Sequence, residues 1–78
     1  MRTILNLKAL DNYKLQCTFN DGSKKIADIS TYLNAPAFLP LQQYAAFNKV
    51  SNKNYFVEWV DYEIDLSADT LWHIGKDY

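Results

Sequence analysis

The residues best suited to chemistry lie in the last third of the sequence, where carboxylates alternate with other residues. Asp61, Glu63 and Asp65 form a D-x-E-x-D pattern. From an extended segment these side chains would point together and offer oxygen ligands to calcium or magnesium. However, Leu66 stands where a calcium loop needs glycine at its sixth position, and Trp72 stands where it needs glutamate at its twelfth. We therefore predict no metal site and no cofactor.

Nucleophilic catalysis would need a serine or cysteine close to a base. Cys17 falls at an inward position of a predicted strand, and His73, the only histidine, falls late in the last predicted helix. Asp69 precedes His73 by four residues, a spacing that favours a surface ion pair on one helix face over a catalytic dyad. We find no catalytic constellation and predict that the protein is not an enzyme.

Charge is divided unevenly along the chain. Residues 1 to 57 contain seven basic and three acidic residues, whereas residues 58 to 78 contain six acidic residues and one lysine. Such a distribution affects association rate and partner choice more than it affects the fold. We predict that the C-terminal third binds a basic protein partner; the candidate residues are Glu58, Asp61, Glu63, Asp65 and Asp69. The alternative is that these carboxylates only form a solvated face.

Direct binding to nucleic acid is a further hypothesis, because Lys24 and Lys25 adjoin a predicted hairpin and the chain has twelve aromatic residues. Nucleic-acid-binding domains usually concentrate positive charge. This sequence has a net charge of −1, and most of its aromatic residues fall at core-facing positions. Solvated lysines that protect a sheet edge from aggregation explain the pair more simply. We expect no direct contact with nucleic acid.

Length and composition limit the architecture that must position these residues. A chain of 78 residues, 49% of them hydrophobic, has room for one domain and is too apolar to be disordered. We place that domain at residues 1–75 and expect residues 76–78 to form a frayed tail. The single cysteine excludes an internal disulfide and fits a reducing compartment, and no apolar stretch is long enough for a membrane span. We expect a cytoplasmic protein without membrane contact.

Strand patterns dominate the first part of the chain. Residues 4–10 predict a first strand, and Asp11-Asn12 a tight turn. Apolar and polar residues then alternate over residues 13–19, as in a half-buried strand. The inward residues of that strand are Tyr13, Leu15, Cys17 and Phe19. An Asn-Asp-Gly-Ser hairpin signal at residues 20–23 leads into a third strand at residues 24–29, so these strands are expected to form an antiparallel meander.

The middle of the chain predicts short helical segments, because Pro36 and Pro40 interrupt longer ones. Ser30 is expected to cap a turn that ends at residue 33. The best helix of this region covers residues 41–48. Its predicted inward residues are Leu41, Tyr44, and Ala45 or Asn48, and Phe38 and Phe47 are expected to anchor the segment onto the sheet.

The last part predicts a short strand at residues 49–51, a polar turn, and a strand at residues 55–60. Tyr55, Val57 and Trp59 share one face of that strand. Phe56 and Val60 fall on the opposite face, which is also fairly apolar. A final helix begins after Ser67, its capping residue, and ends at Gly75. The predicted fold class is α+β, with a small, mostly antiparallel sheet and two or three short helices packed on it. The sheet would combine the N-terminal meander with one or two later strands.

Six short motifs occur in an order that resembles a known family. They are Asp11-Asn-Tyr-Lys-Leu, Phe19-Asn-Asp-Gly, Asp28-Ile-Ser-Thr-Tyr-Leu33, residues 41–47, Glu58-Trp59, and Ile64-Asp-Leu-Ser-Ala-Asp-Thr-Leu71. Over residues 1 to about 75 the chain resembles the small bacterial family catalogued as domain of unknown function 2442. Ala68 departs from the family pattern, which often has proline at the first helical position.

The resemblance implies a compact α+β domain and a family without an agreed activity. Its members are often single-domain proteins, are sometimes joined to a helix-turn-helix module, and have been proposed as components of toxin–antitoxin-like pairs. This sequence contains no helix-turn-helix segment.

Three functional hypotheses follow from the residues and the resemblance. The first is a non-enzymatic interaction module whose acidic C-terminal third docks on a basic protein, as the acidic partner in a toxin–antitoxin-like pair would. The alternative is a structural or regulatory homodimer that associates through Phe56 and Val60. An enzyme of unknown type is the third.

Overall fold

A computed structural model describes residues 1–78, which form two antiparallel sheets around one core. The strands are β1 (Ile4–Leu10), β2 (Lys14–Phe19), β3 (Lys24–Asp28), β4 (Ser51–Asn52), β5 (Phe56–Trp59), β6 (Ile64–Ser67) and β7 (Lys76–Asp77). The α-helices are α1 (Tyr44–Phe47) and α2 (Ala68–Ile74), and 3-10 segments cover Ser30–Tyr32, Pro36–Gln42 and Val60–Tyr62. The α+β class and the N-terminal meander are confirmed.

The sheet topology differs from the predicted single sheet. Strands β1, β2, β3 and β7 form the first sheet in that order, and β4, β5 and β6 form the second. Four strands follow the meander rather than one or two. The second sheet is separate because β5 pairs with β4 and β6, its neighbours along the chain, and with no strand of the meander. It is joined to β1 by hydrogen bonds at Ile4, whose amide donates to the Asn54 carbonyl at 2.7 Å and whose carbonyl accepts from Asn52 Nδ2 at 2.9 Å.

Two tight turns set the register of the meander. Asn12 and Tyr13 both adopt positive φ, of 64° and 62°, so Tyr13 belongs to the turn rather than to β2. In the second turn Gly22 has a φ of 87°, a conformation that glycine adopts without steric cost. The Ser23 amide also donates to the Asp21 carboxylate at 2.8 Å. The predicted alternation in β2 is confirmed, because Leu15, Cys17 and Phe19 are buried.

The core contains fifteen buried hydrophobic residues from both sheets and from the segments between them. Trp59 is the largest fully buried side chain, and its Nε1 donates a hydrogen bond of 2.8 Å to the Phe47 carbonyl. This bond matters because an unpaired buried polar group is costly. The core therefore joins the two sheets and leaves each with one outward face.

The middle segment departs from the predicted helix at residues 41–48. A 3-10 segment ends at Gln42, Gln43 is extended with a ψ of 116°, and α1 begins only at Tyr44. Because Gln43 is extended, the side chains after it point in different directions from those that one continuous helix would give them. As a result Leu41, Ala46 and Phe47 are buried, whereas Tyr44, Ala45 and Asn48 are exposed. Leu41 and the predicted anchor Phe47 are buried as expected, and Phe38 is partly buried against the core, whereas the inward positions predicted for Tyr44, Ala45 and Asn48 are wrong.

The predicted cap at Ser30 is also wrong. The Ser30 amide and hydroxyl both donate to Asp28 Oδ1, at 3.0 and 2.6 Å. These two bonds lower the pKa of the Asp28 carboxyl below its usual value. The carboxylate, rather than the serine hydroxyl, therefore holds this turn.

The C-terminal residues form a helix and a short strand. Ser67 caps α2 as predicted, since its Oγ accepts from the Thr70 amide at 3.1 Å. Gly75 follows the helix in an extended conformation with a φ of −72°. Residues 76 and 77, expected to fray, instead pair as β7 with Lys25 and Ile26 of β3.

Candidate interaction surface

Two carboxylates face each other on the outer side of the second sheet. Glu58 of β5 lies directly opposite Asp65 of β6, and Phe56 lies opposite Ser67. Directly opposite residues share one face of a sheet, with Cβ atoms about 4.5 to 5.5 Å apart. Val57 and Trp59 occupy the other face and are buried. We call the outward side of β5 and β6, which carries Phe56, Glu58, Asp65 and Ser67, the acidic face.

No cation inside the molecule pairs with these carboxylates. The two salt bridges of the structure join Arg2 to Asp69 and Lys25 to Asp77. Glu58 is partly buried and Asp65 is exposed. The acidic face therefore presents two adjacent, uncompensated negative charges to its surroundings.

The other two carboxylates of the D-x-E-x-D pattern lie near this face without forming a cluster. Asp61 is in a 3-10 segment and Glu63 has a left-handed φ of 54°, so the three side chains do not alternate along an extended chain. Glu63 and Asp65 border one shallow recess, which Phe38 also lines, whereas Asp61 borders another together with Lys49. No group of three or more metal-ligating side chains is close enough to hold a metal ion.

Asp69 is the candidate residue that the structure separates from the others. Its Oδ1 accepts from Arg2 Nη1 at 2.6 Å, and the Arg2 guanidinium also lies 4.1 Å from the centre of the Trp72 ring. The predicted Asp69–His73 pair is therefore wrong. The His73 ring packs edge-on against Trp72 instead, at 5.4 Å between centroids. The cation that pairs with Asp69 is Arg2, which belongs to the chain segment before β1. Residue spacing within a helix does not predict such a distant partner.

Phe56 and Val60, the candidate self-association residues, are both exposed but do not continue one strand face. Phe56 lies on the acidic face with 36% of its surface exposed. Strand β5 ends at Trp59, and Val60, 54% exposed, begins the 3-10 segment that follows. Tyr55 and Tyr62 are exposed as well. Apolar side chains thus flank both ends of β5.

A second charged surface, absent from the sequence-based predictions, covers the outward side of the first sheet. One row across the sheet is Lys8, Gln16, Ile26 and Lys76, and the neighbouring rows contain Lys14 opposite Asp28 and Lys24 opposite Thr18. We call this side, with Lys8, Lys14, Lys24 and Lys76, the basic face. The alternation of side chains within a strand places each lysine on the outward side. The pairing register between the strands then brings the lysines of four strands together on one surface.

Lys25 points to the other side of the same sheet. Its side chain is 12% exposed, its Nζ lies 4.1 Å from the centre of the Trp72 ring, and the same nitrogen is 3.2 Å from Asp77 Oδ1. The prediction that Lys24 and Lys25 are solvated lysines of a sheet edge is therefore wrong for Lys25. β3 is not an edge strand, because β7 pairs with its outer side.

The thiol of Cys17 is buried as predicted, with 1% of the residue exposed. Burial raises its pKa to about 12, and its nearest polar partner is the Leu15 carbonyl at 4.0 Å. A nucleophilic cysteine needs a lowered pKa and access to solvent. Cys17 has neither property and acts as a packing residue.

The fold and its surfaces define a small α+β domain of two antiparallel sheets with oppositely charged outer faces. The chain belongs to the family described as protein of unknown function (DUF2442), whose model matches residues 4–77. A comparison with curated proteins finds no match. No helix of the structure is both long enough and apolar enough to cross a membrane.

Among solved structures, the chain is similar to the crystal structure of "Putative DNA Binding Protein NE0471" from Nitrosomonas europaea ATCC 19718. The TM-score is 0.79 with 24% sequence identity, over 97% of this chain and 50% of the other. This chain thus spans half the length of that protein. At this identity the likeness supports the fold alone.

Proposed function

We propose that this domain is a non-enzymatic interaction module whose acidic face docks on a basic protein, as the acidic partner in a toxin–antitoxin-like pair would. The observation that carries the proposal is the cross-strand pair of Glu58 and Asp65, which has no cation within salt-bridge distance. Like charges directly opposite each other destabilise a sheet. A cation from a partner would offset that repulsion. Binding would therefore relieve an unfavourable interaction that is present in the free domain.

The surroundings of the pair favour a partner that presents arginine. The guanidinium of arginine binds carboxylates through two parallel hydrogen bonds and also stacks on aromatic rings. Phe56 shares the acidic face with both carboxylates and leaves about a third of its surface open for such stacking. A sheet face with two carboxylates and one partly exposed ring matches these requirements.

The test replaces both carboxylates by their amides in the variant Glu58→Gln/Asp65→Asn. Removal of the repulsion is expected to leave the free energy of unfolding unchanged or raise it by up to about 1 kcal/mol. Capture of basic proteins from the native cell, measured by quantitative mass spectrometry, is expected to fall. For the wild type, capture is also expected to weaken as salt rises, because charge steering is screened.

The matched control is Asp11→Asn/Asp21→Asn, which removes two exposed carboxylates outside the acidic face and outside both salt bridges, and which keeps an oxygen at position 21 to accept from the Ser23 amide. It has the same net charge as the test variant and is expected to capture the same proteins as the wild type. If Glu58→Gln/Asp65→Asn captures them equally well, with the same salt dependence, then the acidic face is only a solvated surface.

A homodimer is the second candidate, and the exposure of Val60 favours it. With 54% of its surface open at the end of β5, this side chain could contact another copy of the chain. Phe56, the other candidate contact residue, lies on the acidic face, so a twofold contact that includes it would bring the carboxylates of both copies together. That repulsion makes the docking of a basic protein the leading proposal.

A further inference from the structure

The basic face gathers positive charge that the net charge of −1 conceals. Its four lysines come from all four strands of the first sheet, and Asn6, Gln16 and Thr18 supply amide and hydroxyl groups between them. Asp28 is the one carboxylate of this face, and its Oδ1 already accepts two hydrogen bonds from Ser30. The face therefore has a net positive charge and exposed hydrogen-bond donors.

An aromatic side chain lies beside the centre of this face. The hydroxyl of Tyr78 accepts a hydrogen bond of 2.6 Å from Gln16 Nε2, and 56% of the tyrosine surface is exposed. A recess between Tyr78 and Ile26 is bordered by Lys14 and Lys76, and also by the carboxylates of Asp28 and Asp77, which are engaged by Ser30 and by Lys25. A planar apolar group could therefore lie against the ring while an attached anion meets the lysines.

We propose that the basic face binds single-stranded nucleic acid, with its phosphates on the lysines and one base stacked on Tyr78. Phosphates supply the charge complementary to this face, and aromatic rings on a sheet surface stack unpaired bases of any sequence. A double helix fits less well. The outer strands of the first sheet lie about 14 Å apart, whereas a major groove about 12 Å wide admits only an α-helix or a two-stranded ribbon.

This surface is distinct from the acidic face, so the two proposals are tested by different residues. The acidic face would repel the phosphates that the basic face attracts. Because the outward sides of both sheets point away from one shared core, a nucleic acid can bind one side without crossing the other. The expectation from sequence that nucleic acid is not contacted rested on the total charge and on the core-facing positions of most aromatic residues. The fold separates that charge into two surfaces and leaves Tyr78 exposed beside the basic one.

The experiment measures fluorescence anisotropy of a labelled oligothymidylate with the full chain, over salt concentrations from about 50 to 200 mM. If four phosphates are neutralised, the slope of log affinity against log salt is expected to be about −2.8. In Lys8→Gln/Lys24→Gln two exposed lysines are lost, and the slope is expected to fall to about −1.4. Lys49→Gln/Lys53→Gln, with the same net charge, is expected to keep the wild-type slope.

Two further variants test the stacked base. Tyr78→Ala is expected to weaken binding by about fivefold or more, whereas Tyr78→Phe, which keeps the ring, is expected to retain it. Thermal melting of each variant checks the fold independently. The proposal is overturned if the wild type does not bind at the lowest salt, if Lys49→Gln/Lys53→Gln loses as much affinity as the basic-face variant, or if duplex DNA binds as tightly as the single strand.

Discussion

The Cys17 thiol has almost no contact with solvent and a pKa of about 12. Because the thiolate is the reactive form, both properties slow its chemistry. We predict that Cys17 reacts slowly with a thiol reagent in the native protein and quickly in denaturant. The absorbance change of an aromatic disulfide reagent measures both rates. Rapid labelling of the native protein would mean that β2 is shifted by one residue, which would turn Cys17 to the outside.

At the same scale, two cations of the chain show how far a residue's role depends on its neighbours. Arg2 and Lys25 each lie 4.1 Å from the centre of the Trp72 ring. Their carboxylate partners are Asp69 and Asp77. The indole thus joins the N-terminal segment and β3 to helix α2. Such cation–ring contacts contribute about 0.5 to 2 kcal/mol each, depending on solvent exposure.

At the scale of elements, Gly75 determines whether β7 can join the first sheet. A Cβ atom at this position would lie 2.8 Å from both the Leu71 carbonyl oxygen and Lys25 Cβ. Neither atom belongs to the free end of a flexible side chain, so α2 or β3 would have to move. The glycine is needed for this close approach rather than for a left-handed helix end.

We therefore predict that Gly75→Ala lowers the free energy of unfolding by about 1 to 3 kcal/mol, as overpacking does. It is also expected to speed amide hydrogen exchange in Lys76 and Asp77 of β7. Melting curves and exchange measured by nuclear magnetic resonance test both effects. The control is Gly22→Ala, which strains a turn through its φ of 87° but meets no atom within 4 Å. That control is expected to leave β7 paired; equal exchange in the two variants would contradict this account.

At the scale of the whole molecule, two sheets share one core and present oppositely charged faces. Because a twofold contact through the acidic face would bring Glu58 and Asp65 of both copies together, we predict a monomer at tens of micromolar protein and physiological salt. Analytical ultracentrifugation measures this directly. A dimer that Val60→Lys converts into a folded monomer would contradict the prediction and support the homodimer hypothesis, since a charge in an apolar interface is costly.

The sequence by itself determined those features that depend on neighbouring residues. The alternation in β2 predicted its buried face because side chains of a strand point to opposite sides in turn. Ser67 was identified as the cap of α2 because its hydroxyl reaches an amide only three residues away. The uneven division of charge and the resemblance to the family also follow from residue order alone.

Only the tertiary structure decided the features that depend on residues distant in the chain. The pairing of β7 with β3 joins segments about fifty residues apart, and Arg2 reaches Asp69 across 67 residues. Local patterns contain no information on these contacts, since long-range pairing is set by packing of the whole core. The basic face arose in the same way. Each lysine has a predictable side of its own strand, but the register between strands brings the four together on one surface.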